Sequence, residues 1–163
     1  MDNRLLYAMR TRFHGPRREA FAKFLAKLGE YGWIWLAIGA ALALLDSGDR
    51  REWLMAGLLG PFAIGLNFAV KLVVRRQRPV LEGLPPLGGA PSSLSFPSAH
   101  STASFACATA MTRVEPAAAI LFVLAAAIAV GRPYLGMHYP SDVLGGALLG
   151  TALGLIWPLG LLG

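Results

Sequence analysis

The chain has 163 residues, 55% hydrophobic and only 15% charged, with fifteen Lys and Arg against nine Asp and Glu. One domain fits that length, and the composition excludes disorder and argues against a soluble globule, in which roughly 25% of residues are charged. The +6 balance comes with long apolar runs, so it points to a membrane surface and an anionic substrate rather than nucleic acid, and the single Cys107 excludes an intrachain disulfide and a cysteine-built metal site.

The first 30 residues carry Arg4, Arg10, Arg12, Arg17, Arg18, Lys23 and Lys27. Phe21, Phe24, Leu25 and Leu28 fall at i, i+3, i+4 and i+7, the pattern of one helix face, and Gly15-Pro16 divides the segment. A basic amphipathic helix lying in the headgroup layer fits this pattern; a solvated tail is the alternative. The charged region is too long for a signal peptide, and no small-residue cleavage site follows the apolar run. Residues 31–163 are then expected to form a membrane-embedded domain.

A membrane span needs about 20 mostly apolar residues. Residues 53–70, 116–131 and 143–163 are uncharged, and the first of these stretches continues past Lys71 to Val74. Residues 31–45 are shorter, with Trp33 and Trp35 suited to an interface. Residues 97–112 are more polar, but only they can return the chain between two neighbouring spans. Five helical spans are therefore expected, since a segment in lipid must satisfy its own backbone, and the fold class is an all-α polytopic membrane bundle with an N-terminal interfacial helix. Residues 80–95, rich in Pro and Gly, cannot be helical; they are either a flap over a site or a plain connector.

Polar residues beside spans are costly and mark function. Three clusters stand out. The first runs from Lys71 to Arg78-Pro79; a seven-residue separation puts Lys71 and Arg78 on one helix face, with Pro79 ending the helix. The second is Phe96-Pro97-Ser98-Ala99-His100, where Pro97 and Ser98 suit a helix start whose free N–H groups bind anions. The third runs from Arg132 through His138 to Asp142. If each span crosses once, all three clusters lie on one side of the membrane. Cations and helix-start amides there would bind phosphate, a His held by a carboxylate would act as nucleophile or base, and a second His would protonate a leaving group. No metal-ligand set is evident, and no metal or cofactor is expected.

Together the clusters resemble the signature of the type 2 phosphatidic acid phosphatase family, which includes the vanadium haloperoxidases. That signature is Lys, six residues, Arg-Pro; then Pro-Ser-Gly-His; then Ser-Arg, five residues, His, three residues, Asp. Here it reads Lys71…Arg78-Pro79, Pro97-Ser98-Ala99-His100 and Gly131-Arg132…His138…Asp142. Ala99 stands for Gly and Gly131 for Ser, and neither change removes a group with an assigned role. The resemblance implies that His138 attacks phosphorus and becomes a phosphohistidine. It further implies that Asp142 fixes the His138 tautomer and that His100 protonates the leaving oxygen and then activates water. By the same resemblance, Lys71, Arg78 and Arg132 hold the phosphoryl oxygens, with Ser98 and the amides near Ala99 completing the cradle.

The expected activity is hydrolysis of a phosphomonoester or diphosphate on a lipid. A lipid phosphotransferase, a vanadate-dependent haloperoxidase and a non-enzymatic lipid-binding or transport protein are the competing classes. The small size and the Ser-Phe-Pro-Ser-Ala-His form resemble short bacterial members acting on polyprenyl substrates, decaprenylphosphoryl-phosphoribose phosphatases among them. Arg75 and Arg76 are expected to anchor the interface, Asn67 to bond between helices, Cys107 to pack, and His14 to sit on the surface. Charge counting favours a site at the cytoplasmic face: its side carries twelve Lys and Arg, and the other only Arg50, Arg51 and Arg113.

Overall fold

The computed structural model describes residues 2–88 and 94–160. Within them the regular structure is helical, without a strand: α1 (Asp2–Arg12), α2 (Pro16–Leu28), α3 (Trp33–Leu45), α4 (Arg50–Val74), α5 (Ala99–Val114), α6 (Leu121–Tyr134) and α7 (Pro140–Ile156), with short 3-10 turns at Glu30–Gly32 and Pro116–Ile120. The boundaries follow local chemistry. Pro16 and Pro140 open α2 and α7 at positions whose N–H would be unsatisfied anyway. The Ser98 hydroxyl caps α5 by accepting from the Ser101 amide at 3.4 Å.

α5 is the central helix. Ten of its sixteen residues are buried, from Ser101 to Met111, with α4, α6 and α7 packed around it. Its contact with α7 is set by a glycine stripe. A Cβ at Gly146 would lie 2.6 Å from the carbonyl oxygen of Ser98, one at Gly150 2.2 Å from that of Thr102, and one at Gly154 2.5 Å from that of Ala106. Three glycines four residues apart therefore face three α5 carbonyls four residues apart, the small-residue packing that lets helices approach closely in lipid. The core packs small side chains such as Ala56, Ala63, Ala106 and Cys107 around buried Trp35, Leu59, Met111 and Ile128, while Phe62, Phe68, Ile120, Leu148 and Ile156 point outward and are exposed.

Arg50–Val74 and Pro116–Tyr134 are long and apolar enough to cross a membrane; α2 and α3, joined through a 48° bend, make a third if counted as one broken span. The bend lies where Tyr31 (φ 54°) and Gly32 (φ 75°) adopt left-handed backbone. α5 and α7 have 16 and 17 residues, short of a full span by length.

One expectation needs correction. α4 ends at Val74, because Arg75 turns into the left-handed region (φ 52°) while its amide still bonds the Lys71 carbonyl at 2.9 Å. Arg78 thus lies beyond the helix, and it does not share a helical face with Lys71. In α2, Ala22 and Leu25 are buried and the helix packs on α6, whereas Phe21 and Phe24 are exposed. Residues 80–88 and 94–95 are non-helical, as expected; the rest of the expected flap or connector, residues 89–93, lies outside the described residues.

Candidate active site

A cavity of about 680 Å³ opens between the α2–α3 bend, the C-terminal half of α4, the start of α5 and the loop from α6 to α7. Lys71, Arg78, Ala99, His100, Arg132 and His138 all line it, so residues from all three sequence clusters converge on one space. Two candidates stand back from it. Ser98 is fully buried, its hydroxyl caps α5, and its amide donates to the Asp142 carbonyl at 3.0 Å. Asp142 is also fully buried, behind His138.

His138 is positioned by the short loop before α7. Gly136 (φ 75°) turns the chain, and a Cβ there would strike Arg10 of α1, whose guanidinium donates to the carbonyls of Pro85 and Leu135. The two imidazole nitrogens of His138 meet different partners. Nε2 lies 3.3 Å from Nη1 of Arg78, and Nδ1 lies 3.5 Å from Oδ2 of Asp142. Arg78 can only donate, so Nε2 carries the lone pair and Nδ1 the proton, directed to the carboxylate. At 3.5 Å the second contact is longer than a direct hydrogen bond, and among the described residues Nδ1 has no closer partner. Burial pushes the His138 pKa down to about 4; Asp142 works in the opposite direction, and Arg78, Arg132 and Lys71 add to the lowering. The ring is therefore neutral at physiological pH, with its Nε2 lone pair directed at Arg78, which lines the same cavity.

Asp142 is held from several sides. Its Oδ2 accepts from the Tyr139 amide at 2.8 Å and from the Ser95 hydroxyl; its Oδ1 accepts from Nη1 of Arg76 at 2.9 Å. Arg76 and Ser95 thus neighbour Asp142, where the sequence did not place them. Arg76 is no simple interface anchor: its guanidinium also bonds Asp2 and Ser141 and covers the Tyr139 ring at 4.1 Å. Both residues sit inside or beside the motif clusters, which was the available signal; Asp2 carried none.

The other cations differ in how firmly they are held. Lys71 Nζ donates to the Leu94 carbonyl at 2.6 Å. Arg132 is buried, and among the described residues its Nε has no hydrogen-bond partner. Across the cavity, Nε2 of His100 lies 2.9 Å from the carbonyl oxygen of Ala26. Asn67 donates to the Thr102 hydroxyl at 2.8 Å, an α4–α5 bond as expected, and Cys107 is a buried packing residue. His14 is exposed, 3.9 Å from Glu19. A lone-pair imidazole backed by a carboxylate, facing three cations and a second imidazole, can attack an electrophilic phosphorus and stabilise the charge on its oxygens.

The family model described as the PAP2 superfamily matches residues 53–161. Decaprenylphosphoryl-5-phosphoribose phosphatase of Mycobacterium tuberculosis is 41% identical over 143 residues, covering 86% of this chain and 79% of that protein. The crystal structure of LpxE of Aquifex aeolicus superposes with a TM-score of 0.74 at 26% identity, covering 95% of this chain and 93% of the other. The crystal structure of a transmembrane PAP2-type phosphatidylglycerolphosphate phosphatase from Bacillus subtilis gives 0.51 at 27% identity, covering 93% and 90%.

Proposed function

The chain belongs to the PAP2 superfamily, and on that premise we propose that it hydrolyses a phosphomonoester or diphosphate of a polyprenyl-linked substrate at the cavity described above. The carrying observation is the placement of the His138 ring, with Nε2 3.3 Å from Nη1 of Arg78 and Nδ1 3.5 Å from Oδ2 of Asp142, which suits a tautomer protonated at Nδ1 and a nucleophilic Nε2. In this reading Nε2 attacks phosphorus and the lipid oxygen leaves with a proton from His100. Water activated by His100 then breaks the phosphorus–nitrogen bond, releasing phosphate and restoring His138. Lys71, Arg78 and Arg132 carry the developing charge, and the Ala99 amide at the first turn of α5 adds a donor. Asp142 acts from behind His138. Ser98 acts through its cap and through its hydrogen bond to the Asp142 carbonyl. Chemistry of this kind calls on no cofactor and no metal.

A relative at 41% identity is named for a polyprenyl-linked phosphosugar, and about 680 Å³ falls in the range that holds a sugar phosphate headgroup. The outward-facing large apolar side chains and the small interior residues support a protein embedded in lipid. Five crossings by α3 to α7, with α1 and α2 as a basic interfacial segment (residues 1–30) on the membrane domain (residues 31–163), complete the proposal. The charge bias then puts the site at the cytoplasmic face of the bacterial cytoplasmic membrane.

The test is phosphate release by the detergent-purified protein from a panel of polyprenyl monophosphate, diphosphate and phosphosugar lipids, with phosphatidic acid and phosphatidylglycerol phosphate for comparison. Turnover that vanishes in His138→Ala carries the proposal. No release from any panel member, or near-native release by folded His138→Ala, overturns it.

A further inference from the structure

The two oxygens of Asp142 serve different elements. Oδ2 faces His138 and takes the Tyr139 amide and the Ser95 hydroxyl, while Oδ1, among the described residues, takes Arg76 alone, at 2.9 Å. Arg76 is in turn shared. Its Nη2 lies 2.9 Å from Oδ2 of Asp2, the first described residue of α1, and its Nη1 donates to the Ser141 hydroxyl at 2.6 Å. That hydroxyl donates to Asp2, whose Oδ1 accepts the Ser141 amide at 3.3 Å. A row of alternating charges thus runs from His138, which becomes cationic on attack, through Asp142 and Arg76 to Asp2. Asp142 is fully buried at its inner end, and Asp2 is partly exposed at its outer end.

We infer that Arg76 and Asp2 are positioning residues for the His138–Asp142 pair, so that docking of the N-terminal helix onto α7 tunes the nucleophile. The inference rests on the phosphatase reading above. Two physical effects carry it. Donors on both carboxylate oxygens stop the Asp142 group from rotating, which keeps Oδ2 turned to Nδ1; without Arg76, Oδ1 would be a buried acceptor with no partner and the group would turn to satisfy it. Arg76 alone would also draw on the negative charge that Asp142 must offer the forming imidazolium, and Asp2 offsets that pull. Neither Arg76 nor Asp2 lines the cavity, so both act through Asp142 and not on the substrate.

The experiment is a double-mutant cycle on the full chain in detergent, with kcat and KM read from phosphate release. Loss of a residue that orients a reacting group costs about 10- to 100-fold. Arg76→Gln is expected to lower kcat about 100-fold and Asp2→Asn about 10-fold, each with KM unchanged, and Arg76→Lys to recover part of the loss. The double variant is expected to be no worse than Arg76→Gln alone, because Asp2 works through Arg76. A kcat fall that simply multiplies, an effect confined to KM, or a loss that tracks the anionic lipid content of the micelle would overturn the inference in favour of a headgroup contact. Should Arg76→Gln fail to fold, Asp2→Asn alone decides: a lower kcat at constant KM supports the inference, and wild-type kcat sinks it. Wild-type protein that releases no phosphate would instead bring down the phosphatase reading itself.

Discussion

Nε2 of His100 lies 2.9 Å from the carbonyl oxygen of Ala26, so the last turn of α2 holds the second histidine of the site. A carbonyl only accepts, so Nε2 carries a proton and Nδ1 is the nitrogen left for proton exchange with substrate and water. Gly29 makes this approach possible, since a Cβ there would stand 3.0 Å from the His100 ring. If His100 is the general acid, His100→Ala should lower turnover of a lipid phosphate by about 10²- to 10⁴-fold. It should largely spare the first-turnover burst of leaving group from an aryl phosphate, whose departure needs no proton, while the later water step still depends on His100. Comparing the single-turnover release of leaving group from the two substrates in one preparation checks this; equal losses in that first step would remove His100 from the acid role.

If His138 is the nucleophile and Asp142 its partner, as proposed, the two should be separable by rate. His138→Ala would then remove the attacking atom and abolish turnover. Asp142→Asn keeps the shape but loses the acceptor that fixes the tautomer, a change that costs about 10⁴ in a hydrolase triad. Rapid acid-sensitive labelling of the protein from a ³²P-substrate should be absent in the first variant and slow in the second. Orthovanadate should compete with substrate in the wild type, because five-coordinate vanadium on His138 mimics the transition state.

Burial of neutral His138 has a consequence for stability. The unfolded imidazole titrates near its ordinary value of 6.5 and the folded one at about 4. Between those pH values the unfolded chain holds a proton that the folded chain lacks, so acidification favours unfolding. Stability should fall as pH drops from about 6.5 to about 4, with a limiting slope of about 1.4 kcal/mol per pH unit from this group. Melting temperatures of wild type and His138→Gln across that window should converge towards low pH relative to pH 8. Parallel curves would show that His138 does not carry the effect.

The glycine stripe of α7 should be intolerant of size. A Cβ at Gly150 would sit 2.2 Å from the Thr102 carbonyl, so even Gly150→Ala must push α7 from α5. Overpacking of this kind costs about 1–3 kcal/mol. The same shift would part Asp142, at the start of α7, from Ser98, at the start of α5, which are joined by a 3.0 Å backbone hydrogen bond. Gly150→Ala should therefore lower both the melting temperature and kcat, whereas Gly65→Ala, with nothing within 4 Å of its Cβ position, should spare packing. Thermal denaturation in detergent, run alongside the activity assay, checks both.

Orientation can be read by labelling. With Cys107 replaced by Ala, single cysteines at Glu82 and Ser47, both exposed, report opposite faces of the proposed five-crossing topology. An impermeant maleimide on intact cells should label Ser47→Cys and spare Glu82→Cys. The reverse pattern would place the site outside.

The helical character and the residues that meet in the cavity were legible in the sequence, because both are carried by local information. Long uncharged runs call for helices in lipid, and His138 and Asp142 are four residues apart across the start of α7. His100 and Arg132 likewise stand at motif spacings that do not depend on the rest of the chain. Tertiary structure alone decided the contacts that hold them. Arg76 lies 66 residues from Asp142 in sequence and 2.9 Å from it in space, and Asp2 stands at the far end of the chain from Ser141. His100 leans on Ala26 across 74 residues through a backbone carbonyl, which leaves no mark on residue identity. The end of α4 was misread for a related reason: Arg75 gives no local signal for the left-handed turn it adopts, and the turn carries Arg76 and Arg78 off the helix into two different environments. Chemistry is written in residue types and short spacings, whereas orientation comes from partners that only packing brings together.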